Sequence, residues 1–418
     1  MSADSALEVP TTGVEFNTRQ IQAILASIVP PLTLQSYEAT ELGYNNRVHF
    51  LKTQNGLDLV LKAGGRYWKR QKTEAEVAGV LTVRKLCSEH IRVPRILGFS
   101  SRKGSELGGT PIPWEWILSE RIHGASLNDA WAGLDDQQKV VVAEKLVSII
   151  IHMRTDITLQ SLGLDQQDTA CYGNLSLTPP DLNITWPGHD HLSFRFDDPS
   201  MKSNIYISNI LNGPPPSRTY LQYVHSLLEA EINQLELQEN RSKFANTLTE
   251  QRLPRLRSLL GRIHEHPALL HLEKSGNWQP VFTHGDFQPP NIFISPPKSE
   301  KDDQVDLTIL DWEWSGFFPP HIEWDAGIYN LVDFFGDSPA RAAFTATLDT
   351  AGIKSPGTIP QGEWESAVKI TRLTECVVPW WLGGYPDDGG EGPTRKILEE
   401  KRMEAVLELD GLLSFFDA

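Results

Sequence analysis

Thr283-His284-Gly285-Asp286-Phe287-Gln288-Pro289-Pro290-Asn291-Ile292-Phe293-Ile294 is the stretch that decides the fold of this 418-residue chain. A polar loop follows it, and then Ile309-Leu310-Asp311-Trp312-Glu313. Asp286 precedes Asn291 by five residues, and Asp311 follows Asn291 by twenty. Kinase-like phosphoryl transfer requires a carboxylate that takes a hydroxyl proton, and an amide with a second carboxylate that hold magnesium. The stretch therefore predicts phosphoryl transfer chemistry.

The spacing has a structural reason. Asp286 is predicted to lie in a short turn, and Asn291 begins a strand-like apolar run. The segment from Val305 to Leu310 predicts the return strand of a hairpin, so Asn291 and Asp311 are expected to lie close together. Amide and carboxylate ligands without nearby cysteine or clustered histidine favour a hard cation such as Mg²⁺. Each fragment alone is a common turn or strand end, and their order carries the prediction.

The pattern His-Gly-Asp-x-x-x-x-Asn followed by Ile-x-Asp-Trp-Glu resembles the aminoglycoside phosphotransferase and choline kinase-like superfamily. The segment from Asp311 to Pro319 resembles its fungal-type members. This resemblance implies an α+β, two-lobed protein kinase-like fold, with a small N-terminal antiparallel-sheet lobe and a larger, mostly helical C-terminal lobe. It also implies ATP and Mg²⁺ as cofactors. It makes Asp286 the catalytic base, Asn291 and Asp311 the catalytic metal ligands, and His284 a scaffold of the loop.

A kinase-like fold also requires a lysine on an N-terminal strand and a glutamate on the helix that follows. The run from Leu57 to Lys62 predicts the strand, with Lys62 at its end. Residues 73–86 have apolar positions at helical spacing, and Thr73 is a candidate N-cap. Glu76 is the expected partner of Lys62, with Glu74 as the alternative. The competing interpretation of Lys62 is a solvated lysine at a strand end.

Two further segments are predicted to contact the nucleotide. Residues 43–51 resemble the loop that covers the nucleotide, with Asn46 as the contact, because Gly and Asn allow tight backbone near phosphate. Residues 114–127 resemble the hinge, where backbone groups of Ser119, Glu120 and Ile122 are expected to bind adenine; an ordinary edge strand and turn stays open. The sequence contains neither a P-loop nor a G-x-G-x-x-G motif, which excludes those nucleotide sites.

The predicted organisation has an N-terminal nucleotide-binding lobe at residues 1–118, a hinge at 119–124 and a C-terminal catalytic and substrate lobe at 125–418. Residues 166–216 are rich in Asp, Asn, Pro, Ser and Thr and are predicted to be an insertion in that lobe. Apolar periodicity predicts helices over residues 17–28, from 134 through a buried run to 151, and over 219–237, 363–377 and 395–416. Polar or glycine-rich loops are expected at 298–303 and 383–392.

Composition sets limits on partners and location. A hydrophobic content of 40% with a charged content of 22% is typical of a globular protein. No long apolar run or signal-like N-terminus occurs, and the three cysteines are far apart, so a cytoplasmic location is expected. The net charge of −16 argues against nucleic acid and against an anionic membrane surface, and it is compatible with a cationic substrate. Oligomeric state is left open.

The acceptor pocket is expected between the catalytic loop and the C-terminal helices. Tryptophan faces beside carboxylates bind ammonium groups by cation–π attraction and ion pairing. Most of the twelve tryptophans are nevertheless expected to fill core. The predicted acceptor contacts are Glu313, Trp314, Trp324, Asp333 and Trp380, with Trp312, Asp325 and Trp381 as further candidates.

Three classes of function compete. The first is an ATP- and Mg²⁺-dependent kinase that acts on a hydroxyl of a small molecule. The second is a nucleotide-binding pseudokinase or scaffold, although such proteins usually lose residues equivalent to Asp286, Asn291 or Asp311, and all three are present. The third is a protein kinase, which is disfavoured because the His-Arg-Asp, Asp-Phe-Gly and Ala-Pro-Glu motifs do not occur.

Overall fold

The chain divides into two compact units. A computed structural model describes residues 11–40, 43, 45–65, 70–165, 170–177, 205–211, 213–236, 252–295, 305–378 and 393–417. The described residues of Pro10–Asn212 and Pro280–Ser355 form the first unit, and those of Gly213–Gln279 and Pro356–Ala418 form the second. The lobe boundary expected at residues 119–124 lies within the first unit and stays a prediction.

Strands make up most of the elements in the first part of the described chain, and helices make up most of those in the last part. The strands are β1 Leu34–Ala39, β2 Asn46–Thr53, β3 Asp58–Gly64, β4 Ile96–Ser100, β5 Ser105–Leu107, β6 Thr110–Ile112, β7 Trp116–Glu120, β8 Ala125–Ser126, β9 Gly173–Leu177, β10 Ile205–Ser208, β11 Val281–Thr283, β12 Ile292–Ser295, β13 Asp306–Ile309 and β14 Gly316–Phe318. The helices are α1 Thr18–Ser27, α2 Arg70–Leu86, α3 Leu127–Ala130, α4 Asp136–Thr155, α5 Tyr220–Glu236, α6 Leu253–Arg262, α7 Pro267–Ser275, α8 His321–Glu323, α9 Tyr329–Phe335, α10 Pro339–Thr350, α11 Gln361–Val377 and α12 Pro393–Asp417.

The N-terminal part of the first unit is an antiparallel sheet in the order β1-β2-β3-β7-β4. In β3, Leu59, Leu61 and Ala63 are buried and belong to one apolar cluster with residues of α1. Because side chains alternate across a strand, Lys62 points to the opposite face of the sheet. This sheet, together with the mostly helical structure in the rest of the described chain, confirms the predicted α+β, kinase-like fold.

The hairpin predicted around the deciding stretch is confirmed. Strands β12 and β13 pair antiparallel, with Ile292 opposite Ile309. The backbone N–H of Leu310 donates to the carbonyl of Asn291 over 2.8 Å. The residues that flank the hairpin are therefore brought side by side at its open end, as the spacing predicted.

The predicted insertion contributes more regular structure than its composition indicated. Its described ends form β9 and β10, which pair antiparallel and extend a sheet in the order β10-β9-β14-β11. Every residue of β9 is buried, so its short run Gly173 to Leu177 is a core strand. The sequence did not predict this strand because Asn174 and Ser176 are polar. In the fold both are buried, and their side chains are satisfied by hydrogen bonds to distant groups.

Most predicted helices are confirmed within one or two residues at each end. Asn17 and Asp135 cap α1 and α4, and each forms a capping box with the residue three positions on. The cap predicted for α2 is wrong: the helix begins at Arg70, and Thr73 lies inside it, where its hydroxyl donates to Glu115. The predicted loops at 298–303 and 383–392 lie outside the described residues.

In the part of the second unit that the structure describes, the named elements are all helices. Helix α11 packs against α5, α7 and α12, and buries Ala367, Ile370 and Leu373 completely. The guanidinium of Arg372 binds both carboxylate oxygens of Glu408 and so ties α11 to α12. Among the described residues of the chain, no helix is both long and apolar enough to cross a bilayer.

Candidate active site

The loop between β11 and β12 carries Asp286, which is half-buried. Its Oδ2 accepts a hydrogen bond from Asn291 Nδ2 at 2.7 Å, and its Oδ1 accepts one from Gln288 Nε2 at 2.7 Å. Burial raises the pKa of Asp286 to about 6. The negative charge of Asp311 raises this pKa further, and the hydrogen bonds from Asn291 and Gln288 lower it only in part. A carboxylate with this pKa is ionised at neutral pH and accepts a proton readily.

His284 fixes the backbone of the loop. Its Nε2 donates to the carbonyl of Leu310 at 2.9 Å, and its Nδ1 accepts from the backbone N–H of Asp286 at 3.1 Å. Burial lowers the pKa of His284 to about 4, against the opposing effect of the Leu310 hydrogen bond. The ring is therefore neutral, and it ties Asp286 to the end of β13, the scaffold position that the resemblance implied.

Gly285 is required by the shape of this turn. Its φ is 82°, in the left-handed region that favours glycine. A Cβ at this position would lie 2.7 Å from Trp314 Cβ and 2.8 Å from the Trp314 carbonyl oxygen. The close approach of the loop to the turn after β13 thus excludes any side chain at this position.

Glu323 binds the backbone of the catalytic loop, and the sequence analysis did not predict this role. Its Oε2 accepts from the backbone N–H of His284 at 2.6 Å, and its Oε1 accepts from Gly285 at 3.4 Å. The carboxylate is completely buried, which raises its pKa, whereas the positive charge of Arg154 lowers it. The signal available in the sequence was a single glutamate in the run Pro319 to Trp324, which otherwise carries no acidic residue.

Lys62 joins the sheet to the hairpin. Its Nζ lies 2.6 Å from Glu76 Oε1, the partner expected from the sequence, and 2.9 Å from Asp311 Oδ1. Burial opposes its charge, but the carboxylates of Asp311 and Glu76 outweigh this effect and raise the pKa of the ammonium above its ordinary value. The alternative partner, Glu74, instead accepts hydrogen bonds from Ser101 and Ser176.

Asp311, two residues after the end of β13, has an unusual backbone conformation. Its φ of 65° makes it the one non-glycine residue with positive φ in the described part of the chain. Such strain costs about 1–3 kcal/mol and is concentrated at functional sites. Although burial opposes ionisation, Lys62 and Lys72 outweigh it and hold the pKa of Asp311 below its usual range.

The oxygen donors near Asp311 fit a hard cation. Carboxylate oxygens of Glu76, Asp311 and Glu313 lie within 4.8 Å of one another. The amide nitrogen of Asn291 donates to Asp286, which leaves the amide oxygen as its donor atom to a metal. A set of carboxylate and amide oxygens is the type that Mg²⁺ prefers.

The residues predicted to bind the nucleotide have defined places. The amide of Asn46 donates to Glu313 and accepts from Lys72. Ser119 and Glu120 lie at the end of β7, and Ile122 follows them. The backbone N–H of Glu120 donates to the Arg95 carbonyl, so that this group is already paired.

The described residues among those predicted to bind the acceptor differ widely in exposure. Glu313 and Trp312 are completely buried, and the Trp312 ring packs on His284 with centroids 4.5 Å apart. Trp324 is buried and donates to the Lys354 carbonyl. Trp314 is half-buried, Asp325 and Asp333 are exposed, and Trp380 and Trp381 lie outside the described residues. Burial argues against an acceptor-contacting role for Glu313, Trp312 and Trp324.

The fold and this arrangement of charged groups define the protein as an enzyme of the small-molecule kinase class. The chain belongs to the phosphotransferase enzyme family, because the sequence model of that family matches residues 36–355. The family resemblance drawn from the motifs is thereby confirmed. No curated protein matches the chain in a sequence comparison.

Several solved structures are similar to this chain. A putative fructosamine-3-kinase from Thermobifida fusca has 13% identity and a TM-score of 0.46, with 94% of this chain and 99% of that chain covered. An aminoglycoside phosphotransferase in a ternary complex with streptomycin and ATP has 11% identity and a TM-score of 0.44, with 94% and 97% covered. Macrolide 2'-phosphotransferase from Brachybacterium faecium has 14% identity and a TM-score of 0.36, with 84% and 91% covered. These likenesses carry no argument about the substrate.

Proposed function

We propose that the protein is an ATP- and Mg²⁺-dependent phosphotransferase that transfers the γ-phosphate to a hydroxyl group of a small molecule. The observation that carries this proposal is the joint placement of Lys62, Glu76 and Asp311 within bonding distance. The hydrogen bond between Asp286 and Asn291, at the same open end of the hairpin as Asp311, adds the base. The family to which the chain belongs supports the reaction type.

In the proposed reaction, the oxygen of the acceptor hydroxyl attacks the γ-phosphorus of ATP. The hydroxyl proton passes to a carboxylate oxygen of Asp286. The bond between the γ-phosphorus and the β,γ-bridging oxygen breaks, and its electron pair leaves with ADP. Since the transition state of phosphoryl transfer is loose, the contribution of the chain is mainly positioning and charge neutralisation.

Each remaining charged residue has a separate proposed task. The ammonium of Lys62 binds nucleotide phosphate oxygens, and Glu76 holds that ammonium in place. Asn291 and Asp311 would hold Mg²⁺, which neutralises phosphate charge when bound. We assign adenine to the hinge, at the backbone of Ser119, Glu120 and Ile122. Because the N–H of Glu120 already donates to Arg95, we propose that adenine contacts the Glu120 carbonyl and the backbone of Ile122.

The acceptor is proposed to be a small hydroxyl compound, and a cationic one suits the net charge of −16. Of the tryptophans and carboxylates predicted as acceptor contacts, Trp314, Asp325 and Asp333 keep that proposed role because they are at least partly exposed. Trp380 also keeps it, as a proposal from the sequence alone. A cytoplasmic location is proposed as well, since Cys87, Cys171 and Cys376 form no disulfide, and a reducing compartment favours reduced thiols.

An acceptor screen tests the proposal directly. Purified protein with Mg–ATP is incubated with a panel of hydroxyl compounds, and a mass gain of one phosphate is sought. The Asp286→Asn variant is the matched control, because it keeps the shape of the side chain. We expect it to bind nucleotide as the wild type does and to lose about 10²–10⁴-fold in transfer rate, the usual contribution of a general base.

Three outcomes distinguish the alternatives. Transfer by the wild type and its loss in the variant support the proposed kinase. Nucleotide binding without turnover against the whole panel favours the pseudokinase alternative. Unchanged turnover in Asp286→Asn removes Asp286 from its role.

A further inference from the structure

Glu313 is a fully enclosed charged group near the candidate active site. It lies in the short turn Trp312–Trp314, directly after Asp311, and its side chain is completely buried. A buried carboxylate persists only where donors satisfy it. The identity of those donors therefore indicates what Glu313 does.

The donors come from the segment predicted to cover the nucleotide and from α2. Asn45 Nδ2 donates to one carboxylate oxygen of Glu313 at 3.0 Å, and Asn46 Nδ2 donates to the other at 3.0 Å. Lys72 Nζ lies 2.6 Å from Glu313 Oε2 and also donates to Asn46 Oδ1 at 2.6 Å. Glu313, Lys72 and Asn46 thus form a closed ring of contacts that is shielded from solvent.

This ring lies next to the cluster of Lys62, Glu76 and Asp311, and like that cluster it pairs a lysine with a carboxylate. Lys72 and Glu76 are four residues apart on α2, so they lie on one face of the helix. Glu76 pairs with the lysine that contacts Asp311, and Lys72 pairs with Glu313 two residues further along. The turn after β13 is therefore linked to α2 in two ways. Asp311 is linked to Glu76 through Lys62, and Glu313 pairs directly with Lys72.

The backbone around Asn45 and Asn46 is bound as well. The N–H of Gly65, at the end of β3, donates to the Asn45 carbonyl over 3.1 Å. Gly43 has a φ of 105°, and a Cβ there would lie 2.4 Å from the Asn46 carbonyl oxygen, so the segment folds tightly onto Asn46. Side chains and backbone together therefore hold Asn45 and Asn46 in place.

We propose that Glu313 is a positioning residue for the nucleotide. It holds Asn45 and Asn46, and hence the start of β2, in the position in which the segment covers bound ATP, and Lys72 contacts both Glu313 and Asn46. This assignment replaces the acceptor contact predicted from the sequence. It rests on the proposed function, because it concerns nucleotide binding at the same site.

Direct binding of Mg–ATP by calorimetry tests the proposal with three variants. Asn45→Ala removes one contact and leaves Lys72 and Glu313 paired. Glu313→Gln removes the charge and keeps the shape. Asn55→Ala is the matched control, since Asn55 lies in the turn at the other end of β2 and contacts Thr53.

We expect Glu313→Gln to raise the dissociation constant of Mg–ATP by about tenfold or more, the effect of losing a hydrogen bond to a charged group. Asn45→Ala should raise it by a smaller factor, and Asn55→Ala should leave it unchanged. In an active enzyme the KM for ATP should rise likewise, while the acceptor KM and kcat stay within about threefold. If Glu313→Gln raised only the KM for the acceptor, Glu313 would be an acceptor contact and the proposal would be wrong.

Two additions keep the test decisive. If Glu313→Gln does not fold, because Lys72 is left buried without its partner, the double variant Lys72→Met with Glu313→Gln removes both charges. Hydrogen exchange of residues 43–53 should be faster in Asn45→Ala than in the wild type, and it needs no bound nucleotide. Unchanged exchange and unchanged Mg–ATP affinity in Asn45→Ala would refute the inference. Wild-type protein that binds no nucleotide would instead refute the proposed function.

Discussion

At the scale of single residues, Asp286 sets the pH dependence of the proposed reaction. Burial raises its pKa to about 6, and Gln288 counteracts this by donating to the ionised form. A base acts only when ionised, so activity should be constant above this pH and fall as pH drops through it. The acceptor kcat/KM at pH 5 should be about tenfold below its value at pH 7, as a pH–rate profile would show.

The variant Gln288→Ala sharpens this test. It removes a hydrogen bond to the carboxylate, so the pKa of Asp286 should rise further and the acid limb of the profile should move to higher pH. A wild-type profile that stays flat down to pH 5 would contradict the assignment of Asp286 as the base.

Gly285 shows how one position without a side chain shapes the catalytic loop. Gly285→Ala should destabilise the protein by about 3 kcal/mol, since left-handed backbone strain adds to the clash with Trp314. Gly104→Ala is the matched control: Gly104 has a φ of 72° and nothing within 4 Å of an added Cβ. It should cost only about 1 kcal/mol. Denaturant unfolding of both variants measures the difference, and equal losses would show that the contact with Trp314 is unimportant.

At the scale of elements, the helical segment that begins with α8 holds the catalytic loop through Glu323. Glu323→Ala should cost about 2–4 kcal/mol, because two backbone N–H groups lose their acceptor and Arg154 loses its nearby charge. Transfer by the remaining folded protein should fall as well, since His284 and Gly285 position Asp286. Denaturant unfolding and transfer rates measure the two effects.

The conservative variant Glu323→Gln separates these contributions. It keeps one acceptor oxygen for the His284 N–H, so it should recover part of the stability that Glu323→Ala loses. Equal stability of all three proteins would exclude a supporting role for Glu323.

Elements whose cause is local were predictable from the sequence. The apolar periods of α4 and α11, the alternation in β3, and the spacing of Asp286, Asn291 and Asp311 each depend on neighbours along the chain. The partners of Glu313 were not predictable, because Asn45 lies 268 positions away and only tertiary packing joins the two. The same holds for β9, whose polar residues are satisfied by distant groups. Local pattern thus located the chemistry, but the supporting contacts required the structure.

At the scale of the whole molecule, charge gives the last prediction. The chain carries 54 acidic and 38 basic residues, for a net charge of −16. A protein with this balance attracts cations from a distance, and salt screens that attraction over about 8–10 Å at physiological ionic strength. If the acceptor is cationic, its kcat/KM should therefore fall several-fold as salt rises from about 20 to 500 mM. A neutral acceptor of similar size is the control, because its kcat/KM should change little over the same range. An equal response of both acceptors would mean that the excess of acidic residues has no part in selecting the substrate.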